Sequence, residues 1–165
     1  MRKHLLFTVV AALALFVLGA SGAQAQTCNG LMATISGTAG DDWLYGTSGN
    51  DVIAGFGGND FISGGNGNDT ICGANGSDHI HGDFGSDRIE GFGGDDILEG
   101  YGDNDLIAGH PGDDIIYGDT GNDELYGGDN NDDVKGGNDT DIVSGRFGND
   151  RCTQGETYDS CETIY

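Results

Sequence analysis

Aliphatic residues recur every nine positions through residues 37–153, with no insertion or deletion. Taking Gly37 as its first residue, the nine-residue unit occurs thirteen times. Its eighth position is Leu, Ile or Val in the first twelve copies, from Leu44 to Val143, and Cys152 in the last. A fixed period of this length predicts a stacked repeat architecture in which each unit contacts only its neighbours.

Each copy divides into a polar and an apolar part. Positions 1 to 6 are rich in Gly, Asn, Asp and Ser, which favour turns and positive φ. Positions 7 to 9 predict a three-residue strand in which position 8 faces one side and positions 7 and 9 face the other. Stacking would bury the position-8 residues as a continuous narrow core. It would also align Trp43, Phe61, Ile97 and Ile115 in one outward column, either as a docking patch or as filler between strands.

Position 6 is Asp in every copy, and position 1 is always Gly. In stacked turns these carboxylates would lie near backbone carbonyls of an adjacent turn, which gives clusters of oxygen ligands without His or Cys. Such sites suit Ca²⁺, whereas Mg²⁺ requires a tighter octahedron. The predicted metal ligands are Asp42, Asp51, Asp60, Asp69, Asp78, Asp87, Asp96, Asp105, Asp114, Asp123, Asp132, Asp141 and Asp150.

The formal charge of −22 limits the kinds of molecule that the protein can bind. It arises from 28 acidic and 6 basic residues, so nucleic acids and anionic membranes would be repelled. Low hydrophobicity with high net charge would predict disorder unless cations neutralise the carboxylates. Periodic turn carboxylates offer no concave pocket for a nucleophile or an acid–base pair, so we do not expect an enzyme.

Residues 1–25 have the features of a secretory signal peptide. Arg2 and Lys3 precede an apolar run at residues 5–20, and Ala-Gln-Ala at residues 23–25 supplies a cleavage signature. Cleavage would make Gln26 the mature N-terminus and leave a secreted chain of charge −22 − 2 = −24, without membrane insertion. The alternative is an uncleaved anchor, for which the apolar run is short.

The segments on either side of the repeat, residues 26–36 and 154–165, are expected to form caps, because open solenoid ends expose their apolar layer. Residues 34–36 keep the phase of the repeat and predict its first strand. Leu31 and Met32 are suitable residues to cover the N-terminal end.

Four cysteines in a secreted chain suggest two disulfides, for which three pairings are possible. We favour Cys28–Cys72, which would fix the N-terminal cap to an outward position 9, and Cys152–Cys161, which would close a short local loop. Free thiols are the alternative.

Residues 64–72, Gly-Gly-Asn-Gly-Asn-Asp-Thr-Ile-Cys, match the pattern G-G-x-G-x-D-x-U-x. In this pattern the chain resembles the RTX, or hemolysin-type, calcium-binding repeat proteins over 117 of its 165 residues. The resemblance implies an all-β, right-handed parallel β-roll with two nonapeptides per coil, or about 6.5 coils. It further implies Ca²⁺ between stacked turns along both edges, held by position-6 carboxylates and turn carbonyls.

Pairing each turn with the one two copies later allows 13 − 2 = 11 ions, whose charge of +22 nearly balances the mature −24. Three copies depart from the pattern at position 4, with Asp103, Asn130 and Asp139 instead of Gly. Asn and Asp adopt left-handed backbone at some cost, so the sites near Asp105, Asp132 and Asp141 are expected to be the least favourable.

These observations predict a secreted, monomeric calcium-binding protein that folds on binding Ca²⁺. The alternative is an extracellular structural or adhesive protein that uses the rigid roll to contact a matrix or surface partner. Separately, His79 and His81 share an outward strand face and are either ligands for zinc or copper or ordinary surface histidines, since only two such ligands are apparent.

Overall fold

The computed structural model describes residues 27–154, 157–159 and 161. The predicted signal peptide and most of the predicted C-terminal cap lie outside these residues. No helix long and apolar enough to cross a membrane occurs in the described part of the chain.

The described residues form strands throughout. In chain order these are β1 (Thr27–Cys28), β2 (Leu31–Met32), β3 (Ile35–Ser36), β4 (Trp43–Tyr45), β5 (Val52–Gly57), β6 (Phe61–Asn66), β7 (Thr70–Asn75), β8 (His79–Phe84), β9 (Arg88–Gly93), β10 (Ile97–Gly102), β11 (Leu106–Pro111), β12 (Ile115–Thr120), β13 (Glu124–Asp129), β14 (Asp133–Asn138), β15 (Ile142–Phe147), β16 (Arg151–Thr153) and β17 (Thr157–Asp159).

Two parallel sheets make up the body of the molecule. The even-numbered strands β4 to β16 form a seven-stranded sheet, and the odd-numbered strands β3 to β17 form an eight-stranded one. Each strand pairs with the strand two places along the chain, so Leu44 lies beside Ile62 and Ile53 beside Ile71. Two copies therefore complete one coil, and the predicted parallel β-roll is confirmed. Strand β3 also confirms the in-phase segment before the repeat.

The prediction of three-residue strands was wrong, because most strands are six residues long. Each continues from positions 7–9 into positions 1–3 of the next copy, and the pairing of Gly65 with Asp83 shows that position 2 still takes part in the ladder. Side chains alternate, so positions 8 and 1 face inward while positions 7, 9 and 2 face outward. The turns are thus confined to positions 4–6.

The position-8 side chains form one continuous core, as predicted. From Ile53 to Leu125 every member is fully buried, and Cys152 closes the C-terminal end of the column. Ile35 and Cys161 pack against it from outside the repeat. Because each coil contributes only one aliphatic residue per strand, stacking supplies most of the burial.

Both predicted disulfides are present, Cys28–Cys72 and Cys152–Cys161, each with a Cα–Cα distance of 5.7 Å. The first fixes the antiparallel β1–β2 hairpin beside Ala54 on the outer face of the eight-stranded sheet. Leu31 and Met32 were wrongly expected to cover the end of the core. They are 50% and 70% exposed, because the hairpin lies on a face of the roll.

Candidate metal centre in the stacked turns

The position-6 aspartates form two columns, one along each edge of the roll. All are buried from Asp51 to Asp150, and Asp42 is half-buried. Each carboxylate from Asp60 onward accepts a hydrogen bond through Oδ1 from the backbone amide of the Asp two copies earlier. These bonds are 2.7–3.0 Å long, as in Asp42 N to Asp60 Oδ1 at 2.8 Å. The structure thus brings the predicted ligands together across adjacent coils.

The second carboxylate oxygen, Oδ2, is buried and receives no hydrogen bond within the described part of the chain in most copies. This applies to Asp60, Asp69, Asp78, Asp87, Asp96, Asp105, Asp114, Asp123, Asp132 and Asp150. Buried carboxylates are normally paired or bound to metal, because desolvation of an unpaired charge is costly. A column of such oxygens is therefore a candidate site for cations.

The glycine at position 1 allows a second oxygen to approach each Oδ2. A Cβ built on Gly91 would lie 2.2 Å from Asp96 Oδ2 and 3.0 Å from the carbonyl oxygen of Gly109 in the next coil. The same arrangement recurs at Gly100, where the corresponding distances are 2.3 Å and 3.0 Å. Two acceptor oxygens from different coils therefore converge on one point, which only glycine leaves open.

The buried carboxylates have strongly altered acidities. Burial raises the pKa of Asp78 to about 6, of Asp87 to about 7, and of Asp96 and Asp105 to about 8. The backbone hydrogen bond to each carboxylate opposes this shift, and the charges of neighbouring aspartates add to it. A positive charge in the column would favour the ionised forms.

The donor set fits Ca²⁺. It consists of carboxylate and backbone carbonyl oxygens on turns without His or Cys, and Ca²⁺ accepts six to eight such ligands in flexible geometry. Mg²⁺ needs near-ideal octahedral geometry and retains several waters, which a repeated backbone cradle does not favour.

The first two copies differ from the rest, which the uniform sequence pattern did not predict. Asp42 Oδ2 accepts hydrogen bonds from the backbone amide and hydroxyl of Thr38, at 2.6 and 2.9 Å. Asp51 Oδ2 is held likewise by Thr47, at 2.7 and 2.8 Å. Burial raises the pKa of Asp51, but these hydrogen bonds, together with one from the Thr34 hydroxyl, outweigh it and leave the pKa below its ordinary value. In these two copies, hydrogen-bond donors of the protein thus occupy the position beside Oδ2 that a cation would occupy in later copies.

Position 2 adopts a left-handed backbone from copy 3 onward. Eight non-glycine residues do so, with φ between 73° and 90°: Phe56, Ala74, Asp83, Phe92, Tyr101, His110, Asp119 and Arg146. Residues of six different types share this conformation, so the coil requires it and not a particular side-chain contact. In the family pattern position 2 is Gly, which adopts positive φ readily. That Gly was the signal in the sequence pattern for left-handed backbone at position 2.

The three turns expected to bind calcium least well have the same backbone geometry as the other turns. Asp103, Asn130 and Asp139 have φ of 74°, 85° and 76°, the left-handed region that Gly occupies elsewhere. In those copies the Oδ2 atoms of Asp105 and Asp132 are buried like the others. Asn and Asp tolerate this conformation better than most residues, which explains the regularity.

A second ladder runs beside the carboxylates at position 5. The side-chain oxygen of Asn104 accepts a hydrogen bond from the backbone amide of Asn122 at 2.7 Å, and that of Asn122 accepts from Thr140 at 3.1 Å. Here each side-chain oxygen accepts a hydrogen bond from the coil that follows it, whereas each position-6 carboxylate accepts one from the coil that precedes it. Sequence reasoning missed this ladder, although Asn, Asp, Ser or Thr occupies position 5 in every copy.

The predicted outward column on the seven-stranded sheet is confirmed in register. Trp43 lies beside Phe61, and Ile97 beside Ile115, with His79 between the two pairs. Trp43 is 72% exposed. The aromatic end of this column is therefore open to solvent.

Comparison with known proteins agrees with this geometry. The family model described as RTX calcium-binding nonapeptide repeat, four copies, matches residues 36–71, 73–107, 90–125, 99–134, 108–143 and 117–152. No curated protein gives a significant match to the chain. The family matches together span nearly all of residues 36–152, which is more than half of the chain. The chain therefore belongs to the RTX calcium-binding nonapeptide repeat family.

Proposed function

We propose that the protein is a secreted, monomeric calcium-binding protein whose β-roll folds when Ca²⁺ enters the stacked turns. One observation carries the proposal: within the described part of the chain, buried Oδ2 atoms without hydrogen-bond partners lie near carbonyl oxygens of the next coil. Without a cation, each such pair would place a carboxylate and a carbonyl dipole against each other in a desolvated space. Ca²⁺ would give both oxygens a partner.

The aspartates from Asp60 onward would be the principal ligands, together with position-1 carbonyls. Asp42 and Asp51 would contribute less, because Thr38 and Thr47 already hold their Oδ2 atoms. The pairing of turns would allow up to about eleven ions, which nearly neutralises the chain.

The mechanism would be thermodynamic linkage. A ligand that binds only the folded chain stabilises it by about 2.7 kcal/mol per site at a concentration one hundred times its Kd. Three such sites would contribute about 8 kcal/mol, which is comparable with the whole stability of a small domain. At low calcium, self-repulsion among 28 acidic residues would keep the chain expanded.

Secretion would be directed by residues 1–25, and export would bring the chain from a calcium-poor to a calcium-rich compartment. We propose no catalytic role, since the periodic carboxylates serve the turns. N-terminal sequencing of the exported protein should give Gln26, and a start at Met1 would contradict cleavage.

A second candidate function, a scaffold that contacts an extracellular surface, is favoured by the exposed aromatic residues at one end of the roll. Trp43 and Tyr45 are 72% and 57% exposed, and their rings lie 5.2 and 6.0 Å from that of Phe61. This role would depend on the roll being folded and is compatible with calcium binding.

Native mass spectrometry at increasing calcium would test the proposed function. The expected result is several ions per chain, taken up together over a narrow range of concentration, with magnesium failing to replace them. Uptake of one ion or none by the disulfide-bonded protein would refute a calcium-filled roll.

A further inference from the structure

Two histidines and a glutamate meet on the outer face of the seven-stranded sheet, away from the turns. His79 and His81 occupy positions 7 and 9 of β8, and Glu99 lies beside His81 on the adjacent strand β10. The two Nε2 atoms are 3.0 Å apart. Glu99 Oε1 lies 3.6 Å from His79 Nε2, and Oε2 lies 3.6 Å from His81 Nε2.

These separations match a tetrahedral metal site. Zinc binds imidazole nitrogen and carboxylate oxygen at about 2.0–2.2 Å, so ligand atoms around a tetrahedral ion lie about 3.3 Å from one another. The observed 3.0 Å and 3.6 Å fall on either side of that value. Small rotations of the side chains would bring all three ligands to an ion without moving the strands.

The surroundings orient the two imidazoles. Phe61 makes edge contacts with both imidazoles, and Tyr101 packs on His81 with ring centroids 5.2 Å apart. The ligands of a metal site are commonly held in place by partners outside the coordination sphere. His79 is 42% exposed, so an ion has a route from solvent and a fourth position remains for water.

We propose that His79, His81 and Glu99 form a binding site for a transition-metal dication of the Zn²⁺ class, separate from the calcium turns. Two imidazoles and one carboxylate are the ligands of many zinc sites with an open position, whereas Ca²⁺ prefers oxygen ligands alone. The calcium-filled roll would serve only to hold β8 and β10 in register, so the site could fail while the proposed function stands.

The test is a calorimetric titration of the protein with Zn²⁺ in saturating millimolar calcium, which keeps the turns occupied. One Zn²⁺ per chain is expected, and His81→Gln or Glu99→Gln should weaken its binding at least about tenfold. His110→Gln is the matched control, because His110 also contacts a glutamate, Glu90, at 2.6 Å but lies on the other sheet. It should leave Zn²⁺ binding unchanged.

Two further measurements separate a metal site from a structural cluster. Imidazole ¹⁵N resonances of His79 and His81 should shift on addition of Zn²⁺ while that of His110 stays, and each variant should keep the circular dichroism spectrum of the calcium-loaded parent. Zinc affinity equal in the parent and in His81→Gln would overturn the proposal. So would displacement of the bound zinc by calcium, which would place the metal in the turns.

Discussion

The backbone amide of Asp78 donates a hydrogen bond to Oδ1 of Asp96, 2.8 Å away in the next coil. The other oxygen of Asp96 is buried without a hydrogen-bond partner in the described residues and faces the carbonyl of Gly109 one coil further on. The carboxylate thus bonds the preceding coil through one oxygen, while its other oxygen lies near a carbonyl of the following coil in a position suited to a cation. The same relationship recurs along both edges of the roll.

Asp96→Asn should separate these two uses of the carboxylate. Asn keeps an oxygen for the Asp78 amide, but it loses the charge and puts an NH₂ group beside the Gly109 carbonyl. We expect calcium binding at this site to weaken at least about tenfold, since even indirect partners of a metal site contribute about 10–100-fold. In chelator the variant and the parent should both give a coil spectrum.

Calorimetry and urea unfolding in calcium would measure the calcium affinity and the stability of the calcium-loaded roll. Asp129→Asn is the control, because it removes the same charge from an exposed position-3 residue and should change neither. A calcium affinity and a urea midpoint equal to those of the parent would show that the Asp96 carboxylate does not hold calcium.

Gly91→Ala should destabilise the calcium-loaded roll by about 1–3 kcal/mol or more, the usual cost of overpacking. Its Cβ would lie 2.2 Å from Asp96 Oδ2, in the space between two coils. Gly40→Ala is the matched control, since a Cβ there meets nothing within 4 Å. Denaturant midpoints would compare the two, and equal effects would show that the cradle does not require glycine.

Ala74→Gly should stabilise the protein, which is the opposite of the usual effect of glycine in a strand. Ala74 has φ of 90°, and left-handed backbone costs a residue with a Cβ about 1–2 kcal/mol. Ala108→Gly, in the regular part of β11, should instead destabilise by about 0.5–1 kcal/mol. Thermal unfolding in calcium measures the sign of each change, and the same sign for both would contradict the strain at position 2.

In chelator, the folded fraction of the chain should be larger at pH 5 than at pH 8. Burial raises the pKa of Asp78 and Asp96 from 3.8 to about 6 and about 8, so the folded chain binds protons that the unfolded chain releases. This contribution is fully present below about pH 4 and is lost as the pH rises through 6 to 8. Far-UV circular dichroism of the chain in chelator at both pH values measures the folded fraction.

Calcium binding should show the converse dependence, because Ca²⁺ requires ionised carboxylates. Its affinity should fall from pH 8 to pH 6, with release of protons that calorimetry in buffers of different ionisation enthalpy detects. A calcium affinity independent of pH in this range would contradict burial of the ligands.

The sequence was sufficient to predict whatever depends on strict periodicity. The core at Ile53 and Ile71, the pairing of Trp43 with Phe61 on adjacent strands, and the column of position-6 aspartates all follow from adding 9 or 18 to a residue number. The two disulfides were predicted differently, Cys28–Cys72 as an anchor of the N-terminal cap on an outward position 9 and Cys152–Cys161 as a short local loop.

What was missed depends on backbone conformation within one coil. The left-handed φ at Ala74 and the length of strands such as β6 cannot be read from the type of a single residue, because the coil imposes them. The hydrogen bonds of Thr38 to Asp42 required knowing where Oδ2 points. Because Glu99 and His81 are 18 residues apart, the sequence could have predicted that they lie side by side on adjacent strands. It could not give the distance between their side chains.

The most direct test of calcium-coupled folding is far-UV circular dichroism of residues 26–165, disulfides intact, titrated from chelator into millimolar calcium, with magnesium as the control. We predict a cooperative change from a coil to a β spectrum with calcium alone. A full β spectrum already present in chelator would contradict the account, because the aliphatic column and the two disulfides would then suffice to fold the roll.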